Sequence, residues 1–265
     1  MQNQEIKDQI WQLFQSGEKG NVTLAFQLIK SQKIDMQEEL EGLKLLGQQP
    51  FEGEVAIETV CKLFTESSLI LREKQINHIP SIIRYFTHLK KLMIYYCKIK
   101  SIPSEIKHLT NLEEFSAMMC DLKEIPDEFA ELPNIREIYI YKTALAKLPE
   151  SIGNLKNLYK LKVEESKLKK LPKSIGQCRL LEALDLNSNK LKSIPNSLEN
   201  CTKLTDLQLN NNQLLSLPAE IGNLEALAFL EVANNQLTEL PQTISNLKKL
   251  VRLNVSNNKI KRLPD

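Results

Sequence analysis

Cysteine and histidine are among the side chains in this sequence that could bind a metal ion or act in nucleophilic catalysis. The five cysteines include no CxxC pair, and the three histidines, His78, His88 and His108, are not spaced from cysteine or carboxylate as zinc ligands are. The sequence also lacks GxxxxGK[ST], HExxH and GxSxG motifs. We therefore expect no catalytic residues, no metal site and no cofactor, and a protein that is not an enzyme.

Tyrosine and methionine side chains are better placed to bind a partner. Tyrosine offers a large contact area with little loss of conformational entropy, and methionine adapts to the shape of what it meets. An exposed group of such residues usually marks an interaction site. The alternative is that they pack on one another or beneath the N-terminal helices. The predicted contact surface consists of Ile70, Met93, Tyr95, Tyr96, Met118, Met119, Tyr139 and Tyr141.

A repeated apolar pattern must position these residues. The segment 181–195, LEALDLNSNKLKSIP, has apolar residues at places 1, 4, 6, 11 and 14 and proline at place 15. The alternation around Leu184 and Leu186 is the period of a short strand, and the proline suits a chain leaving a sheet. The spacing predicts nine repeats of 23 residues in residues 66–265, the last one incomplete, with places 3, 5, 7 and 8 facing outward. The prolines at place 15 are Pro80, Pro103, Pro126, Pro149, Pro172, Pro195, Pro218, Pro241 and Pro264.

This pattern, LxxLxLxxNxLxxLP, resembles the leucine-rich-repeat family, and the LP ending and repeat length are similar to the intracellular, Ras-group-related type. The resemblance implies an α/β solenoid, a horseshoe with a parallel sheet on the concave side and short helices or turns on the convex side. Members of the family mostly bind other proteins. We therefore expect a protein–protein interaction module that binds its partner on the concave face of the N-terminal repeats.

Residues 1–65 do not carry the repeat, and we expect them to form an N-terminal helical cap. Apolar residues at helical spacing predict four helices, of which the second and third begin near the capping residues Asn21 and Asp35. Residues 16–32 resemble the helical lead-ins of some bacterial leucine-rich-repeat proteins. Because an open sheet edge invites aggregation, such helices would cover the first strand. A separate functional domain is the alternative.

Place 9 divides the repeats into two groups. The resemblance implies that the asparagines at this place form a ladder in which buried amides bond to the backbone, whereas Asn210, two residues before Asn212, should face solvent. The side chains that replace asparagine in the first five repeats make fewer bonds, so we expect a more irregular backbone or ordered water there. The asparagines are Asn189, Asn212, Asn235 and Asn258. The replacements are Lys74, Cys97, Cys120, Thr143 and Ser166.

Charge and hydropathy limit the kinds of partner. The net charge of +2 gives no general attraction for nucleic acid or for an anionic membrane. No apolar run approaches the ~20 residues of a membrane span and the N-terminus is unlike a secretory signal, so we expect no membrane insertion and a cytoplasmic location. Lysines after the strands form a lysine ridge, which is either a solvated edge or a contact for an acidic protein or anionic lipid. The lysine ridge is Lys98, Lys100, Lys123, Lys147, Lys167, Lys169, Lys170, Lys190 and Lys192.

Two other functions fit the same sequence. The repeats could be the substrate-recognition part of a longer signalling enzyme, or the chain could be a self-assembling structural protein. The sequence ends at Asp265, one residue after the proline of the last repeat. We therefore expect either a fragment of a longer chain or a C-terminal edge that another molecule covers, including a second copy in a homo-oligomer.

Overall fold

A computed structural model of the chain describes residues 2–48, 52–72 and 76–264. In these residues four α-helices precede nine parallel strands, and the strands follow one another in the sheet in sequence order. A short 3-10 helix follows each of the first eight strands. The expected solenoid is confirmed, with the sheet on one side, the 3-10 turns on the other and helices at the N-terminal end.

The four helices are α1 (Gln2–Gln15), α2 (Lys19–Ser31), α3 (Gln37–Gly47) and α4 (Gly53–Thr65). The predicted start of the second helix at Asn21 is wrong, because α2 begins two residues earlier and the Asn21 amide donates to Ser16 and Glu18, each at 3.2 Å. The predicted cap at Asp35 is off by one residue, because the N-cap of α3 is Met36, although the Asp35 carboxylate accepts the N–H of Gln37 at 3.2 Å. None of the helices in the described ranges has the length and apolarity needed to cross a bilayer.

The nine strands pair with a constant shift of 23 residues, so equivalent places of successive repeats lie side by side. The first five strands have five residues each and the last four have three. The strands are β1 (Ser68–Arg72), β2 (Lys91–Tyr95), β3 (Glu114–Met118), β4 (Glu137–Tyr141), β5 (Lys160–Glu164), β6 (Ala183–Asp185), β7 (Asp206–Gln208), β8 (Phe229–Glu231) and β9 (Arg252–Asn254). The 3-10 helices are Ser81–Tyr85, Ser104–His108, Asp127–Glu131, Glu150–Asn154, Lys173–Gln177, Asn196–Asn200, Ala219–Asn223 and Gln242–Asn246.

One continuous apolar core runs along the solenoid between the sheet and the 3-10 turns. Strand residues at places 4 and 6, such as Leu92 and Ile94, point inward and are fully buried. Residues of the turns, such as Ile106 and Leu109, cover them from the other side. A single repeat could not bury these side chains, so the stacking of neighbours supplies the stability.

The helices close the N-terminal end of this core. Phe64 of α4 stacks on Phe86 with ring centroids 4.6 Å apart, and Trp11 of α1 stacks on Tyr85 at 3.9 Å. The Gln48 side chain binds the outer edge of β1, where its amide nitrogen donates to the carbonyl of Ile70 and its oxygen accepts the N–H of Arg72 at 2.8 Å. The expected helical cap is confirmed, because these contacts satisfy backbone groups that an open edge would leave exposed.

The asparagine ladder is present in the C-terminal repeats. Asn212 is buried, its amide nitrogen donates to the carbonyls of Leu186 and Leu209 at 2.9 and 3.1 Å, and its oxygen accepts the N–H of Leu191 at 3.0 Å. The same set of bonds recurs in the repeats before and after it. Each amide therefore ties two neighbouring repeats together through their backbones.

The expected irregular backbone in the N-terminal half is wrong, because the longer strands lie there. In the C-terminal half, asparagines at place 7 take over backbone bonds: Asn187 accepts the N–H of Asn210, and Asn210 accepts the N–H of Ala233, both at 2.7 Å. These N–H groups would otherwise extend the sheet, so the strands there stop after three residues. Asn210 is thus half-buried and bonded rather than free in solvent. Lys74, the first replacement at place 9, lies outside the described residues.

Candidate protein-binding surface

Six of the predicted contact residues lie in two adjacent columns of the sheet. Strand pairing aligns Tyr95 with Met118 and Met118 with Tyr141 at place 7, and Ile70 with Met93 at place 5. All six are at least partly exposed. Side chains of equivalent places on neighbouring strands are close enough to form one surface. We call this surface the concave patch, and it consists of Ile70, Met93, Tyr95, Met118, Tyr139 and Tyr141.

Ser116 interrupts the place-5 column and was missed from the sequence. It pairs with Met93 on one side and Tyr139 on the other, and only 2% of it is exposed. The larger side chains of Met93 and Tyr139 therefore flank a small residue in this column. Its position at place 5 was the available signal, although its residue type gave no reason to select it.

Tyr96 and Met119 lie outside the two columns. Each follows the last residue of its strand and has a left-handed backbone, with φ values of 57° and 51°. Tyr96 is 57% exposed and Met119 is 40% exposed, so both are accessible at the edge where the strands end. Place 8 is therefore exposed, as places 3, 5 and 7 were expected to be, but it lies one residue past the end of the strand, where the chain turns.

Tyr139 is held by charged neighbours. Its hydroxyl and that of Tyr159 both donate to the carboxylate of Glu137, and the Lys160 ammonium lies 5.3 Å from the centre of the Tyr139 ring. Burial and the hydrogen bond to Glu137 raise the pKa of the Tyr139 hydroxyl. Burial alone would raise the pKa of Glu137, but the hydrogen bonds from the two phenols, together with nearby lysines, outweigh burial. The pKa of Glu137 is therefore below its usual value, and this carboxylate stays charged. Tyr159 was not predicted, because it lies at place 2, before the strand.

Tyr95 and Tyr141 also have partners within the chain. The Arg72 guanidinium lies 5.4 Å from the centre of the Tyr95 ring, and the Lys142 ammonium lies 5.2 Å from that of Tyr141. The Tyr141 hydroxyl donates to Glu165 at 2.9 Å. Cation–π contacts at exposed sites contribute about 0.5–1 kcal/mol, enough to favour one orientation of each ring.

Most charges around the concave patch are paired within the chain. Lys91 lies 2.7 Å from Glu114, and Lys142 lies 3.4 Å from Glu165. Exposed pairs of this kind contribute little to stability, but they leave little net charge beside the patch. The patch therefore offers a partner aromatic rings, thioethers and an aliphatic side chain rather than an electrostatic field.

The other half of the sheet is polar and internally bonded. Asp185 is only 5% exposed, and it accepts the N–H of Asn187 at 3.0 Å and lies 3.7 Å from the ammonium of Lys162. Burial raises the pKa of Asp185. Gln208 donates to Asp206 at 3.1 Å. These groups bond to one another, so they offer a partner fewer free donors and acceptors than the sequence suggests.

Three of the four buried cysteine thiols are poor nucleophiles in this structure. Burial raises the pKa of Cys120 and Cys178 to about 11 and that of Cys201 to about 12. Thiolates carry the reactivity of cysteine, so these three side chains are unreactive at neutral pH. Their packing in the core supports a structural role.

Comparisons with known proteins agree with the repeat geometry. The family described as leucine-rich repeat region matches residues 120–213 and 197–265, more than half of the chain. A leucine-rich-repeat protein of Leptospira interrogans is 35% identical with a TM-score of 0.70, over 78% of this chain and 52% of that one. This chain belongs to the leucine-rich-repeat family, whose repeats generally form protein-binding modules.

Two further solved structures share the fold. The plant peptide hormone receptor RGFR1, solved in complex with RGF2, is 27% identical with a TM-score of 0.65, over 74% of this chain and 32% of that one. The complex of PEPR1 with AtPEP1 is 24% identical with a TM-score of 0.61, over 74% and 35% of the two chains, and shows likeness of fold alone. The chain thus spans about half of the Leptospira protein and about a third of each of the other two proteins. No curated protein sequence matches it.

Proposed function

We propose that the concave patch binds a protein partner and that this binding, without catalysis, is the function of the chain. One observation carries the proposal: the strand register aligns six apolar or aromatic side chains in two columns on β1–β4. These columns lie on the five-residue strands, the most regular part of the sheet. A rigid surface of this kind binds with little loss of conformational freedom.

The contacts of the tyrosines support the same proposal. Arg72 and Lys142 lie over the rings of Tyr95 and Tyr141, and Glu165 accepts the Tyr141 hydroxyl. Side chains that are already oriented lose less rotamer entropy when a partner binds. Tyrosine is also among the residues that most often dominate the energy of an interface. The complex of the plant receptor RGFR1 with RGF2 adds the support of analogy.

The second candidate is the substrate-recognition part of a longer signalling enzyme. It is supported by the length of the matched proteins, since the chain spans only 52% of the Leptospira protein. An immunoblot of the natural protein would measure its full length. For either candidate we propose a cytoplasmic location, which the five free cysteines, four of them buried, favour over a disulfide-forming compartment.

The test is quantitative affinity capture with the chain and with the double variant Tyr95→Ala, Tyr141→Ala. Truncating a central aromatic residue of an interface often costs 2 kcal/mol or more, about thirtyfold in affinity. We expect the variant to lose its partner while its melting temperature falls by only a few degrees. Tyr139 is unsuitable for this test, because its removal would also remove one of the two hydrogen bonds that phenol hydroxyls donate to the half-buried Glu137.

The matched control is Phe229→Ala with Leu215→Ala. Both side chains are apolar and exposed, at 42% and 56%, and both lie in the C-terminal half. The control should retain the partner. Equal loss of the partner in both variants would contradict the proposal, and unfolding of the tyrosine variant would show that the rings are part of the core.

Loss of capture only on reversing Lys169 and Lys192 to glutamate would move the site to the lysine ridge. Light scattering of the captured material would reveal a second copy as the partner.

A further inference from the structure

The lysine ridge is a concentrated positive charge in a nearly neutral chain. Its nine lysines occupy places 10, 12 and 13 of repeats two to six, and all are exposed. Places 10–13 of these repeats also contain Asp121 and Glu124, so their net charge is +9 − 2 = +7. The whole chain has a net charge of +2, so the rest of it carries −5. Charge is therefore separated strongly between this edge and the other surfaces.

The backbone beneath these lysines is held in place. Lys123 donates its N–H to the carbonyl of Lys100 at 2.8 Å, and Lys190 donates to Leu168 at 2.8 Å. A parallel bridge between Ser101 and Glu124 continues the same ladder. The ridge is thus part of the rigid solenoid rather than a loose loop, and its charges keep the spacing of the repeats.

Within the ridge, like charges stand next to one another. Equivalent places of adjacent repeats hold Lys167 beside Lys190 and Lys169 beside Lys192. Like charges side by side on neighbouring repeats repel and destabilise one another, as like charges on neighbouring strands do. Among the described residues, the ridge has one ion pair, in which Lys170 lies 3.5 Å from Glu150. The fold does not require these lysines, because repeats seven and eight have uncharged residues at places 10 and 12. Those residues are Gln213, Leu215, Gln236 and Thr238.

The residue types favour one kind of anionic partner. Places 10–13 of repeats two to six contain no arginine and no aromatic residue. Arginine provides bidentate recognition of phosphate, and aromatic rings provide the platforms on which unpaired bases stack. Lysine is a hydrated point charge, suited to an extended surface whose negative charges need no fixed geometry.

We propose that the lysine ridge binds the surface of an anionic lipid bilayer. The ridge lies on the segments after the strands, whereas the concave patch lies on the strands themselves. The patch would therefore stay open to a protein partner while the ridge contacts the membrane. This proposal rests on charge alone and is independent of the function of the concave patch.

Sedimentation with lipid vesicles tests the proposal. The full chain is mixed with vesicles of phosphatidylcholine, or of phosphatidylcholine with phosphatidylserine, at low and at high salt. The test variant is Lys167→Glu, Lys190→Glu, Lys192→Glu. The matched control makes the same charge change at Lys30, Lys203 and Lys249, which are exposed and lie away from the ridge.

We expect the chain to bind only vesicles that contain phosphatidylserine, and to be released by high salt. Each lysine near an anionic leaflet contributes about fivefold in affinity, so the test variant should bind at least roughly a hundredfold more weakly. The control variant should lose much less of its affinity for these vesicles. No binding at low salt, or equal loss in the two variants, would overturn the proposal. Tighter binding to polyglutamate or to duplex DNA than to the vesicles would also overturn it, and would assign the ridge to that other partner. Circular dichroism confirms that both variants are folded.

Discussion

Repeats two to five and repeats six to nine have the same 23-residue spacing but differ at places 7, 8 and 9. In the later repeats asparagine at place 9 bonds the backbones of two repeats, and the earlier repeats have cysteine, threonine or serine there. At place 7 the later repeats use Asn187 and Asn210 to accept backbone N–H groups, where the earlier ones expose Tyr95, Met118 and Tyr141. The C-terminal half therefore uses these places for internal bonds, and the N-terminal half uses them to present side chains.

Place 8 sharpens this contrast, because its backbone is left-handed in repeats two to nine. Asparagine tolerates this conformation, and repeats seven to nine have it there. Repeats two and three instead hold Tyr96 and Met119, with φ values of 57° and 51°. Residues held in such a conformation cost about 1 kcal/mol or more, and they often lie at functional sites. The N-terminal half thus has large exposed side chains at a place where they carry that cost.

The largest effect should come from the asparagine ladder. Asn212→Ala should lower the free energy of unfolding by about 2–4 kcal/mol, because the N–H of Leu191 and the carbonyl of Leu186 lose a buried partner. At the same place in repeat three, Cys120→Ala should cost only about 1 kcal/mol, since a thiol is a weak donor. Urea unfolding of the two variants measures the difference. Equal costs would contradict the division between the halves.

A glycine on the convex side gives the next effect. A Cβ added at Gly176 would lie 2.1 Å from the carbonyl oxygen of Ser197, and a backbone atom cannot easily move away. Gly176→Ala should therefore cost about 1–3 kcal/mol by overpacking.

The control for this glycine is the equivalent place of repeat three, which holds Ala130. Ala130→Gly should cost only about 0.5–1 kcal/mol, the usual penalty for backbone freedom. Thermal unfolding compares the two variants. A Gly176→Ala variant as stable as the parent chain would mean that the turns of neighbouring repeats can move apart.

A smaller effect is expected at place 7. Asn210→Ala should cost about 1 kcal/mol, because the N–H of Ala233 loses its acceptor. This corrects the expectation from sequence that Asn210 faces solvent. Met118, at the same place in repeat three, lies on the concave patch and is half-buried, so Met118→Ala should cost less than Asn210→Ala. Hydrogen exchange at Ala233 would show directly whether the Asn210 side chain protects that N–H.

The smallest effect should be stabilising. Met119→Asn replaces a residue that disfavours a left-handed backbone with one that tolerates it, so stability should rise by about 0.5 kcal/mol. The reverse change, Asn211→Met, should lower stability by a similar amount, because Asn211 has a φ of 57°. Melting temperatures of the two variants measure both effects. If Met119→Asn is destabilising, the methionine packs against the fold and is not held for a partner.

The concave patch could be predicted in part. Place numbers alone put Tyr95, Met118 and Tyr141 in one column, and the strand pairing agrees. Tyr96 and Met119 are exposed because the left-handed backbone at place 8 breaks the alternation that would otherwise point this place inward. Ser116 and Tyr159 were missed, since burial and a bond to Glu137 depend on neighbours rather than on residue type.

The apolar period and the recurring proline were sufficient to predict the number of repeats and the residues of the core, and the resemblance to the leucine-rich-repeat family implied the parallel sheet. Each repeat has one apolar side, and stacking in register is the arrangement that buries all of them. The apolar period could not predict three other features: the length of the strands, the left-handed backbone at place 8, and the hydrogen bonds of Gln48 to the edge of β1. They depend on which side chain reaches a backbone group in a neighbouring repeat or in the cap, as Asn187 reaches the N–H of Asn210. Several donors and acceptors compete for each such group, and only their positions in the folded chain determine which of them bonds.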